Sequence, residues 1–323
     1  MKFGIIFPGY GNQFVGMGKE FYDNSRSMQE YFEEAANCLD KNFVKLCFAS
    51  SEANLAELEN SYISLFLVSL SIATILKEHE IEPSIVAGNN IGEYAALATV
   101  NGITLPDAVY LLRKYAGLYQ QFLKEKRVEA IRVKNIDLEK LKEICDNCVN
   151  GNNVANISVY ELDNQAIVTG TIDSIAFVRK AIEDMQSGPV EDIPIGQGLH
   201  SPLMDDILKD MKKYLEKVDF KDSAVPVVAS VTGQALKEGD SLRAAVMQQI
   251  YASLKWNKVM DGFSFCDVII IAGPGDHLKK LLETAHPDKK VFSIIGPDDL
   301  NVLLEFAGKP KMELEDKDDS NLT

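Results

Sequence analysis

Short apolar runs alternate with stretches of helical period along this chain. Phe3 to Phe7, Ser84 to Ala87, Val225 to Val231 and Val268 to Ala272 read as strands. The second and fourth stop at a glycine turn and pass into a helical pattern, which implies strand-helix-strand units and a mostly parallel sheet. Such a sheet places ligands outside the carboxyl ends of its strands.

Between Val128 and Ile195 the rhythm changes. An apolar run leads into a helix over about Asp137 to Val149, two strands near Ala155–Tyr160 and Gln165–Thr169, a helix over about Asp173 to Met185, and the run Val190 to Ile195. The order βαββαβ predicts a ferredoxin-like unit inserted into the larger one. The expected division is 1–126 and 199–308 for the large α/β domain, 127–198 for the small domain, and 309–323 for an acidic tail poor in aliphatics that frays into solvent. The longest uncharged stretch, Tyr62 to Leu76, carries Ser64, Ser69, Ser71 and Thr74 and is short of the roughly 20 residues that span a bilayer, so it reads as a buried helix.

Composition narrows the function classes. The 323 residues carry 33 Lys+Arg against 48 Asp+Glu, a formal charge of -15. That field disfavours nucleic acid and anionic membrane as partners. Pro8 and Gly9 interrupt the first apolar run too early for a secretory signal, and five cysteines, an odd number, suggest a reduced cytoplasmic location. Cys145 and Cys148 form a C-x-x-C pair with no second pair or nearby His to complete a metal site, so no metal is expected.

The most informative turn is Gly88-Asn89-Asn90-Ile91-Gly92-Glu93, which follows one predicted strand and opens a helix. Two glycines around a central residue match the G-x-S-x-G elbow, which exposes a nucleophile at a sharp turn. The central residue is Asn90, whose amide is a poor nucleophile. Taken alone, Asn-Asn also suits an ordinary turn, because Asn tolerates left-handed backbone. His200 lies in a glycine-bearing loop, Gly196-Gln197-Gly198-Leu199-His200-Ser201-Pro202, where catalytic groups tend to sit. His79, His277 and His286, on charged segments, read as solvated, and so do the clusters Lys124-Lys126-Arg127, Lys209-Lys212-Lys213 and Lys279-Lys280.

Four motifs taken together resemble the malonyl-CoA:acyl carrier protein acyltransferase family. They are Phe7-Pro8-Gly9-Tyr10-Gly11-Asn12-Gln13, Gly88-Asn89-Asn90-Ile91-Gly92-Glu93-Tyr94, Leu199-His200-Ser201-Pro202-Leu203-Met204 and Gly273-Pro274-Gly275, in register over roughly Met1 to Pro297. The resemblance implies an α/β-hydrolase-like large domain and ping-pong acyl transfer between coenzyme A and carrier-protein thioesters in fatty acid or polyketide biosynthesis. By position it implies His200 as the base and Gln249 as the residue that orients it. The amides of Tyr10 and Ile91 take the place of the oxyanion donors, and Gln13, Ser61, Asn89 and Tyr115 line the substrate site. The Gly273-Pro274-Gly275 turn is expected to wall the acyl pocket. No permanent cofactor is implied; coenzyme A or a phosphopantetheine thioester is the ligand, and acyl carrier protein and acyl-CoA are the expected partners.

The departures from the family pattern fall at the site. Asn89-Asn90 replaces the family's His-Ser, Tyr115 stands where an Arg pairs with the malonyl carboxylate, and Ser61 replaces a pocket glutamine. A neutral phenol lacks the bidentate charge-assisted pair that holds a carboxylate. The leading expectation is a family member without the covalent step, a pseudoenzyme that binds acyl thioesters. One alternative is an acyl-carrier thioester hydrolase in which His200 drives water, and another is an acyltransferase whose natural nucleophilic serine has been exchanged for Asn90.

Overall fold

The computed structural model describes residues 1–148 and 153–313. Among the described residues eleven strands form two sheets: β1 (Phe3–Phe7), β2 (Pro83–Gly88), β3 (Val128–Lys134), β4 (Ala155–Leu162), β5 (Gln165–Thr171), β6 (Val190–Ile193), β7 (Val227–Val228), β8 (Ala235–Leu236), β9 (Leu254–Lys255), β10 (Val268–Ala272) and β11 (Lys290–Ile294). The larger sheet has the order β11-β10-β1-β2-β7-β8 and is parallel except for the β7–β8 pair. β1 and β10 are buried along their whole length, as strands covered by helices on both faces must be. The chain leaves β1 for β2 on one side and later reaches β10 on the other, so the carboxyl end of β1 is a switch point.

The second sheet has the order β6-β3-β5-β4-β9. Its first four strands, with the helices Leu138–Asn147 and Ile172–Asp184, are the expected βαββαβ unit. The expected helix end at Val149 lies outside the described residues. β9, from the large unit, pairs in parallel with β4 and ties the small sheet to the chain that follows it.

Two expectations need correction. The run Val225 to Val231 is a strand only at Val227–Val228, because the chain reverses through Gly233 at φ 74° to form β8. The segment from Lys309 to Glu313 is held, not frayed: Lys309 pairs with Glu80 at 2.7 Å, and the Met312 amide donates to Asn301 Oδ1 at 2.7 Å. Residues 314–323 of the expected tail lie outside the described residues.

The uncharged stretch belongs to the helix Leu58–Glu78, which is 21 residues long and by length and apolarity enough to cross a membrane. Of its most apolar 18 residues 89% are buried inside the fold, and it packs on the helices Arg26–Leu39, Gly92–Thr99 and Leu105–Glu125, which makes it a core helix. Its Ser71 hydroxyl donates to the Leu67 carbonyl, which keeps that polar group bonded inside the core.

Candidate active site

The turn after β2 is forced by sterics. A Cβ on Gly88 would lie 2.0 Å from the Glu93 amide nitrogen, and one on Gly92 would lie 2.4 Å from the Phe7 carbonyl oxygen. Only glycine fits either place, and between them Asn90 takes φ 53°. That left-handed backbone is disfavoured for most side chains and is tolerated by Asn. The elbow thus presents Asn90 at the carboxyl ends of β1 and β2, where Asn89 N–H donates to the Phe7 carbonyl at 2.8 Å.

His200 arrives from the other side. Its loop is fixed by the small sheet: Thr169 Oγ1 donates to the Gly198 carbonyl at 2.6 Å and Asn156 Nδ2 donates to the His200 carbonyl at 3.4 Å. The imidazole is fully buried, and its Nδ1 lies 2.6 Å from the Gln249 carbonyl oxygen. A carbonyl only accepts, so Nδ1 carries the proton and Nε2 the lone pair. That lone pair is filled by Asn90, whose Nδ2 lies 2.9 Å from Nε2. The other end of the same amide, Oδ1, accepts the Ile91 N–H at 2.6 Å. Rotating the amide by half a turn would set N–H against N–H, so one orientation alone satisfies both neighbours. Burial pushes the His200 imidazole down to about 4, against the smaller upward pull of its bond to Gln249, so it is neutral at physiological pH.

A further layer supports Gln249. Its Nε2 donates to the Asn90 carbonyl at 3.1 Å and to the Glu93 carboxylate, and Ser230 Oγ donates to the same Glu93 oxygen at 2.7 Å. Burial raises the Glu93 carboxyl to about 7, opposed by the bonds from Ser230 and Gln249.

In front of Asn90 lies a cavity of about 180 Å³, lined by Tyr10, Asn89, Asn90, Arg132, Glu161 and His277 among others. Tyr10's ring meets Tyr62 edge-on with centroids 5.8 Å apart, and its amide makes no hydrogen bond to the described residues. Asn89 is on the cavity wall as expected. Gln13 and Ser61 are not: Gln13 Oε1 accepts the Gly11 amide at 2.8 Å, closing its own turn, and Ser61 Oγ donates to the Leu58 carbonyl at 3.1 Å within its helix. Tyr115 is 3% exposed and packs between Tyr62 and Tyr119, with ring centroids 6.0 and 6.1 Å away. Burial raises its phenol, which therefore stays neutral. Arg113 is exposed, 3.9 Å from Glu59, and Lys114 lies over the rings of Tyr110 and Tyr214.

The expectation of solvated histidines fails at two positions. His286 Nε2 lies 2.8 Å from the Met260 carbonyl, and His277 Nε2 lies 2.8 Å from Glu161 Oε1. Arg132 grips the same carboxylate with two bonds of 2.8 and 3.1 Å. Burial alone would raise Glu161, but the hydrogen bonds and charges of His277 and Arg132 outweigh it and bring it down to about 2. The Gly273-Pro274-Gly275 turn packs on Pro8 and Ser69, and the residues after it that reach the cavity are His277 and Leu278. Lys209 and Lys213 pair with Asp206 and Asp210 on their own helix face, as a solvated surface would.

This arrangement of elbow, buried imidazole and inserted βαββαβ unit is an acyltransferase architecture. The profile of the acyl transferase domain family matches residues 5–256, and the chain belongs to that family. It is 24% identical over 306 residues to the malonyl CoA-acyl carrier protein transacylase of Bacillus subtilis (strain 168), covering 94% of this chain and 96% of that protein. It is 27% identical to the protein of the same name from Staphylococcus aureus (strain MRSA252), over 93% of this chain and 97% of that one. Among solved structures, the acyl carrier protein S-malonyltransferase of Vibrio cholerae superposes with a TM-score of 0.89 at 21% identity, covering 94% of this chain and all 100% of the other. A malonyl-transacylase solved with its type II polyketide acyl carrier protein superposes with a TM-score of 0.90 at 21% identity, over 95% and 100%. The likeness carries the α/β large domain and the ferredoxin-like small domain together.

Proposed function

We propose that this protein binds acyl thioesters of coenzyme A or of acyl carrier protein in the cytoplasm and does not pass the acyl group through residue 90. The single observation behind this reading is the double engagement of the Asn90 amide. Acyl transfer at an elbow requires a nucleophile, a free base and free oxyanion donors. Here the position carries no ionisable group. Its carbamoyl oxygen takes the Ile91 N–H and its nitrogen takes the His200 lone pair. Hydrolysis driven by His200, the alternative weighed from the sequence, requires the same lone pair and is disfavoured by the same contact.

Substrate preference follows from Tyr115. With a buried phenol in place of a cation, a malonyl carboxylate gains nothing over a neutral acyl group. Titration calorimetry of the full chain with coenzyme A, acetyl-CoA, malonyl-CoA and holo acyl carrier protein tests the reading. The expected result is binding of the thioesters with acetyl-CoA and malonyl-CoA within about tenfold of each other. Absence of binding to every thioester, or a malonyl preference of ~100-fold, overturns it.

A further inference from the structure

The cavity in front of Asn90 is lined by an imidazole other than that of the buried His200, and the binding proposed above does not use it. His277 lies in the first turn of the helix Asp276–Ala285 of the large unit, and its side chain is 38% exposed on the cavity wall. Its Nε2 faces Glu161 Oε1 at 2.8 Å, so Nε2 carries the proton that the carboxylate accepts. Nδ1 has no hydrogen-bond partner among the described residues. Glu161 is itself immobilised: both oxygens accept from Arg132, and Oε2 also accepts Gln165 Nε2 at 2.7 Å. A carboxylate held this way fixes the tautomer and the orientation of the imidazole. His200 is buried with its lone pair occupied; His277 is open with its lone pair free.

We propose that Glu161 and His277 form a proton-transfer dyad that drives water onto the carbonyl carbon of a thioester held in this cavity, making the protein a thioester hydrolase that works without an acyl-enzyme. The inference rests on the thioester-binding reading above. In the first step the water oxygen bonds to the carbonyl carbon, its proton passes to His277 Nδ1, and the carbonyl π pair moves onto oxygen, facing the Tyr10 N–H. In the second the tetrahedral intermediate collapses, the C–S bond breaks, and the proton on Nδ1 passes to sulfur. The products are a carboxylic acid and a free thiol, with water the only co-reactant. Glu161 is the positioning residue and His277 the base.

The test is thiol release from acetyl-CoA by the full chain, with acetyl-CoA binding followed in parallel by calorimetry. His277→Ala leaves Glu161 bonded to Arg132 and Gln165, so the fold is expected to persist, and circular dichroism checks it. The enzyme-dependent rate should fall by ~100-fold or more in His277→Ala, as loss of a general base predicts. Added imidazole should restore part of it, a recovery that a purely structural role would not give, and His79→Ala at a remote helix end should leave it unchanged. Equal rates in the parent and His277→Ala overturn the dyad, as does a rate abolished by His200→Ala alone. Acetyl-CoA binding without thiol release by the parent overturns the dyad and leaves the binding reading standing; neither binding nor release overturns both.

Discussion

The side-chain amide of Asn90 and the imidazole of His200 meet at 2.9 Å, with the imidazole as acceptor, because the ring's other nitrogen is committed to the Gln249 carbonyl at 2.6 Å. The contact keeps the polarity of an acyltransferase elbow, with the imidazole accepting, but its donor is an amide that has no proton to give up. There the residue at the turn gives a proton to the histidine during reaction; here it only lends a hydrogen bond.

This relationship fixes a protonation state. Burial holds the His200 imidazole down at about 4, so it stays neutral until the pH falls towards that value. Nitrogen-15 NMR of the histidine rings should show one imidazole with a protonated Nδ1 and a hydrogen-bonded bare Nε2, unchanged from about pH 8 to pH 5. Titration of every imidazole near the ordinary value of ~6.5 would contradict the buried contact.

Glu93 gives a second pH-dependent outcome. Its carboxyl is raised from 4.5 to about 7, so the folded state holds more protons than the unfolded chain in that window. Its stabilising contribution is complete below about pH 4.5 and is lost as pH rises through 7. His200, lowered from 6.5 to about 4, has the opposite slope: stability is present above 6.5 and lost as pH falls towards 4. The two slopes offset each other in the parent protein. Glu93→Gln should remove one of them, so that urea unfolding shows stability rising with pH between about 4 and 6.5 and a gain relative to the parent at pH 8. A shift of about 2.5 units sets an upper scale of about 3 kcal/mol for that relative change. A variant whose pH dependence parallels the parent's would show that Glu93 does not titrate in this range.

Much of the fold is legible in the sequence because its strands are short, apolar and bounded by glycine. β1, β2 and β10 lie where the apolar runs lie, and the βαββαβ unit follows its alternating pattern. The two-residue strands β7, β8 and β9 leave no periodic trace, since pairing with neighbours and not local pattern defines them. At the site, Asn90, Asn89 and His200 are recognisable from motifs at loop ends, and Gln249, inside the helix Gly239–Tyr251, only by position in the family pattern. The partnership of Arg132, Glu161 and His277 is not, because it joins β3, β4 and a helix more than a hundred residues further along. A charged residue inside a strand pattern, as Arg132 is in β3 beside Glu129 and Lys134 and as Glu161 is in β4, is the local signal that points to it. Ser61 and Gln13 are legible only by position in the family pattern, and position does not reveal that a side chain bonds to its own backbone.

Restoring the elbow should restore chemistry in steps. Asn89→His with Asn90→Ser frees the Ile91 N–H and the His200 lone pair, and slow acylation by acetyl-CoA is expected, read as a mass increase on the folded protein. Adding Tyr115→Arg should then favour malonyl-CoA. That change places a guanidinium beside Tyr62 and Tyr119 without a protein carboxylate, so a loss of several kcal/mol of stability is expected before ligand binds. A folded double variant that acquires no acyl group from any thioester would show that residue 90 is not what closes the covalent route.

The most direct measurement is the intact mass of the parent protein after incubation with malonyl-CoA and acetyl-CoA, followed by peptide mapping. With Asn90 holding both Ile91 N–H and His200 Nε2, the mass should be unchanged with either thioester. A malonyl or acetyl adduct on the peptide that carries Asn90 would contradict the account.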